Sequence, residues 1–259
     1  MFQKILVGFQ DTPQGRDAKA LGQALARLTA AQLVVATITA DEHETLGDLA
    51  REQGADLAVL GSTHRGPVGR IVPGAAVAHL LADPPCAVAV APPGFSRPGG
   101  AGDWRPLDGD GEDPGLRVLG VGFDASHAAQ AALETAAELA LAGGAAMRVY
   151  TIAQKLPQIH ATETASPAAV AATETETLRS ALQAAVAELP RAARALPVFL
   201  RGDPATELID AVGNGVDLLV LGSRPGGPLR RVLQGSVTDA VLAAARCPVL
   251  IVPAALVRP

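Results

Sequence analysis

The chain has 259 residues, 49% of them hydrophobic, and a formal charge of −5. That length accommodates one large domain or two ordinary ones, and the acidic balance leaves no basic face for nucleic acid. Its two cysteines, Cys86 and Cys247, cannot build a disulfide framework, and no cysteine or histidine grouping has zinc spacing.

The opening MFQKILVGFQDTP lacks the basic region, apolar stretch and small-residue cleavage site of a signal peptide. No segment reaches the ~18 apolar residues of a membrane span, so a cytoplasmic location without membrane partners is expected. Short β-branched runs predict strands over 5–9, 33–38, 57–60 and 87–90, and Ala/Leu/Glu-rich stretches predict helices over 16–28, 44–52 and 75–81. Residues 92–115, PPGFSRPGGAGDWRPLDGDGEDPG, are rich in Pro, Gly and Asp and read as a surface linker.

Beyond it, strands are predicted over 117–123, 147–152, 198–200, 218–221 and 249–252, with helices over 128–141, 168–189, 204–212 and 236–245. Strand and helix alternate throughout, which implies parallel sheets covered by helices on both faces.

The chain also repeats itself. KILVGFQDT from Lys4 matches VLGVGFDAS from Val118 at an offset of 114, whereas GADLAVLGS from Gly54 matches GVDLLVLGS from Gly215 at an offset of 161. The first copy therefore lacks about 47 residues after its second strand, amounting to one helix and one strand. The expected organisation is two tandem doubly wound α/β domains, 1–95 and 116–259, joined by a linker over 96–115.

In such sheets ligands bind beyond the carboxyl ends of the strands, where strand order reverses. In the second copy this directs attention to Asp124 and Ser126 after the first strand, and to the glycine-rich stretch starting at Gly222 after the fourth. An Asp or Ser before a helix is often only a cap. Glycines permit close backbone approach, and Ser236 at a predicted helix start would stand where free N–H groups attract phosphate. Neither a P-loop nor a GxGxxG follows the first strand, and no general base or metal-ligand set is spaced for catalysis. The chain is therefore expected not to be an enzyme.

These residues resemble the universal stress protein family, whose ATP-binding members carry G-x2-G-x9-G-[ST] after the fourth strand. The motif falls on Gly222, Gly235 and Ser236, followed by Val237 and Thr238, while its second glycine falls on Pro225, with Gly226 beside it. The resemblance implies that Asp124 contacts the nucleotide, that the backbone near Ile152 walls the adenine, and that the ligand is ATP or a related nucleotide, with magnesium. In the first copy the motif reads Gly61, His64, Gly74 and Ala75, with Gln10 at the Asp position, which implies a degenerate partner domain.

The resemblance further implies that the last strands of the two copies pair about a pseudo-twofold axis within one chain, with a homodimer as a further possibility. The function implied is a stress-response regulator that binds nucleotide in its second domain. The alternative is a nucleotide-free interaction module, favoured by Pro225, which has no N–H to offer a phosphate.

Overall fold

The computed structural model describes residues 1–38, 43–62, 75–96, 115–154, 167–213, 215–223 and 237–254. The first half runs β1 (Lys4–Phe9), α1 (Pro13–Thr29), β2 (Gln32–Thr37), α2 (His43–Gln53), β3 (Leu57–Gly61), α3 (Ala75–Ala82) and β4 (Ala87–Ala91). The second runs β5 (Val118–Gly122), α4 (His127–Gly143), β6 (Ala146–Ala153), α5 (Pro167–Glu188), β7 (Ala195–Arg201), α6 (Pro204–Val212), β8 (Leu218–Ser223), α7 (Val237–Ala244) and β9 (Val249–Pro253). Among the described residues, the unit present only in the second half is α5 with β7. The predicted linker lies almost wholly outside the described residues.

All the strands join one sheet of order β2-β1-β3-β4-β9-β8-β5-β6-β7. Every pairing within a half is parallel, and the crossover helices lie on both faces. The halves meet where β4 and β9 run antiparallel, with Ala89 opposite Leu250. The strands expected to end each copy's sheet thus lie at the centre, and the outer edges are β2 and β7.

β7 extends further than the predicted 198–200, because Pro197 lowers the strand signal yet is tolerated on an edge.

Local chemistry explains the repeated elements. Thr12 caps α1 by accepting from the Gly15 N–H, and Ser126, its counterpart, caps α4 by accepting from the Ala129 N–H. Asp56 accepts from the N–H groups of Gln3 and Lys4, and Asp217 does the same for Arg117 and Val118, so one carboxylate secures the start of each half's first strand. Burial pushes the Asp217 carboxyl above its ordinary value despite these bonds.

Packing follows the period-2 pattern of the strands. In β4, Ala87, Ala89 and Ala91 face the layer of α1 and α4, while Val88 and Val90 face that of α2, α3, α6 and α7. The small alanines leave room for α1 and α4 to meet across the join. There a Cβ on Gly143 would stand only 2.2 Å from Leu28 Cδ1. Cys86 and Cys247 are buried at equivalent places before β4 and β9, and desolvation pushes both thiols up to about 12. Among the described residues no helix is long and apolar enough to cross a membrane.

Candidate functional site

In the second half the chain goes from β5 outward to β6 and β7, then returns to β8 and β9 on the other side, so strand order reverses between β5 and β8. At the carboxyl ends of these strands opens a cavity of about 700 Å³. Its floor includes Gly122 at the end of β5 and Phe123 after it, Thr151 and Ile152 of β6, and Gly222 near the end of β8, with Asp124 at the rim.

The floor is fixed by a chain of hydrogen bonds. The buried Thr151 hydroxyl donates to the Phe123 carbonyl at 2.8 Å, and the Phe123 N–H donates to the Tyr150 carbonyl at 2.8 Å. These bonds hold the end of β5 against β6. The chain then turns: Asp124 Oδ1 accepts from the Ser126 N–H at 3.0 Å, and Ala125 takes a left-handed φ of 60°. Ser126 is therefore the helix cap, and Asp124 shapes the turn before it at the rim of the cavity.

Gly222 is required by close approach. A Cβ there would stand 2.1 Å from the Ala128 carbonyl oxygen, so any side chain would force β8 and α4 apart. Gly61 repeats the arrangement against the Gln14 carbonyl, at 2.3 Å. The two halves share this seat, but their first loops differ. In the first half the Gln10 carbonyl turns over the start of α1, where a Cβ on Gly15 would be 1.9 Å away. Ala129 occupies the position of Gly15 in the second half, and its methyl group excludes that arrangement, keeping the β5–α4 loop away from the helix start.

Of the residues singled out in the sequence, the cavity brings together Asp124, Ile152, Gly222, Val237 and Thr238. Gly226, Gly235 and Ser236, along with Pro225, lie outside the described residues. Sequence reasoning missed Glu174, Thr175 and Leu178 of α5, Leu208 of α6, Asp239 of α7, and Leu81, which reaches the cavity from α3 of the first half. For Leu178 and Leu208 the signal was the helical apolar period; for Leu81 there was none. The described lining carries the carboxylates Asp124, Glu174 and Asp239 and no lysine or arginine. The first described residues of α4, α6 and α7 border the cavity, and helix N-termini favour negative charge.

The family model described as the Universal stress protein family matches residues 115–253. No curated protein matches the chain. Among solved structures, the chain is similar to a functionally unknown protein from Pseudomonas aeruginosa PAO1, 16% identical, covering 97% of this chain and 92% of that one with a TM-score of 0.66. It is also similar to a universal stress protein from Archaeoglobus fulgidus DSM 4304, 16% identical over 97% of this chain and 88% of that one, with a TM-score of 0.60. A protein of the universal stress protein family from Burkholderia pseudomallei is 27% identical over 53% of this chain and 96% of its own, with a TM-score of 0.43. The family match spans more than half of the sequence and contains the cavity's floor, so this chain belongs to the universal stress protein family.

Proposed function

We propose that the chain is a non-enzymatic stress-response regulator that binds ATP or a related nucleotide in the cavity of its second domain. On this reading residues 1–95 form a degenerate partner domain, related to domain 116–259 by a pseudo-twofold axis between β4 and β9. The observation that carries the proposal is the crevice at the β5/β8 reversal. It is floored by a glycine that admits no side chain and faced by three helix N-termini, a setting suited to an anionic ligand.

The residues present fit a nucleotide. The cavity volume is within the usual range for small-molecule sites, roughly 300–1,000 Å³. Asp124 would accept from ribose hydroxyls, the β6 backbone at Ile152 would line the base, and Val237 and Thr238 at the start of α7 would face the phosphates. Gly226, Gly235 and Ser236, which the family motif assigns to the phosphates, lie outside the described residues. Because three carboxylates share the described lining, magnesium would offset part of the charge repulsion between them and a triphosphate.

Calorimetric titration of nucleotide-stripped protein with Mg-ATP tests the reading. Saturable heat in the parent that is lost in Asp124→Ala supports it. No heat with either protein points to the nucleotide-free interaction module, which Pro225 favours.

A further inference from the structure

The two halves can be compared position by position, and the first half shows what the missing helix–strand unit would otherwise cover. Met147, Val149 and Thr151 of β6 are at most 1% exposed. Their counterparts in β2 are Leu33, Val35 and Thr37; Val35 is 41% exposed, Leu33 is half-buried and Thr37 is exposed. The difference follows from α5 and β7, both of which pack on β6.

The backbone shows the same contrast. The N–H groups of Gln32 and Ile38 donate to the carbonyls of Gln3, just before β1, and Phe9, at its end, so by the alternation of a strand those of Leu33, Val35 and Thr37 point outward. In the second half the Met147 N–H, equivalent to that of Leu33, is taken by the Arg194 carbonyl beside β7.

The opposite edge of the sheet is protected. Gly202 donates back to Ala153, which places Pro197 among the outward-facing positions of β7, where it offers no N–H, and that strand ends in Arg201. The six residues of β2, QLVVAT, contain neither a proline nor a charge.

We propose that a second copy of this chain occupies the β2 edge, with the two β2 strands antiparallel about a twofold axis at Val35. The pattern is self-complementary. A twofold axis there sets Val35 against its own copy and Leu33 against the copy's Thr37, so every outward N–H and carbonyl of these three residues finds a partner. Leu33, Val35 and Thr37 then lie on one face of the continued sheet beside the same residues of the copy, and the second β2 takes the place that β7 has next to β6. Nothing in this association depends on nucleotide.

Light scattering coupled to gel filtration, over a range of protein concentrations, reads the association directly. The expected result is a mass approaching twice that of the chain as concentration rises. Val35→Lys should give monomer at every concentration with an unchanged circular dichroism spectrum, because the side chain is already exposed, whereas Leu196→Lys on β7 should still dimerise.

Val35→Cys supplies a positive test. Hydrogen-bonded antiparallel pairs have Cα atoms about 5.5 Å apart, within the reach of a disulfide, so mild oxidation should link two chains. The proposal is overturned by a parent that stays monomeric, by a dimer that survives Val35→Lys, or by Val35→Cys chains that fail to cross-link.

Discussion

Asp17, buried within α1, receives both the N–H and the hydroxyl of Ser96 on Oδ1, at 2.8 and 2.7 Å, and the Gly94 N–H on Oδ2 at 2.8 Å. One carboxylate thus holds the segment that leaves β4. Its counterpart in the second half is Ala131, so this clamp belongs to the first half alone. Asp17→Ala should cost about 2–4 kcal/mol, since it strands two N–H groups that bond to a charged acceptor. Ser96→Ala should cost about 1 kcal/mol because it removes only the hydroxyl bond. Urea denaturation of the two variants checks the ratio.

Gly222 and Gly61 make the same close approach in the two halves, so their substitutions separate folding from binding. Gly222→Ala and Gly61→Ala should each destabilise by about 1–3 kcal/mol or more, as overpacking does. Only Gly222→Ala should also weaken nucleotide binding in the titration. Equal loss of binding in both variants would count against a site confined to the second half.

Thr151 supports the Asp124 turn from beneath through its bond to the Phe123 carbonyl. Thr151→Val keeps the shape and removes the donor, and a loss of about 0.5–1.5 kcal/mol is expected. Nucleotide affinity should fall as well, because the end of β5 loses its tie to β6. Calorimetry on the folded variant measures the second effect.

Asp217 provides a pH signature. Burial raises its carboxyl above the ordinary 3.8, so the folded state binds this proton more readily than the unfolded chain. The resulting stabilisation is complete below the unfolded value and is lost as pH rises through the folded one. Asp217→Asn should remove that fall, so the difference in unfolding free energy between parent and variant should vary over the acid range and flatten toward neutrality.

Cys86 and Cys247, with thiols pushed up to about 12 by burial, should resist a thiol reagent at neutral pH in the folded protein. Both should react once the chain is unfolded in urea. Rapid labelling of either in native buffer would contradict the packing described around β4 and β9.

Much of this was legible in the sequence, for identifiable reasons. The two offsets located the missing α5 and β7 unit because a repeat records its own deletion. Asp124 and Gly222 were singled out because each stands at the end of a strand that the apolar pattern marks, and Val237 and Thr238 because they continue the glycine motif. Asp17 was passed over: an acid in a helix reads as surface, and its partners lie nearly eighty residues further along the chain. β7 was underestimated because Pro197 disguises an edge strand.

The sequence by itself determined the alternation of strand and helix, the repeat and the motif positions, since all of these depend on neighbours within a few turns of chain. Only the tertiary structure decided the register in which β4 and β9 join, that Leu81 of the first half reaches a cavity of the second, and that Val35 of β2 is exposed where Val149 of β6 is covered. Periodicity specifies which face of an element is buried, but the surface that buries it is set by contacts between residues far apart in the chain.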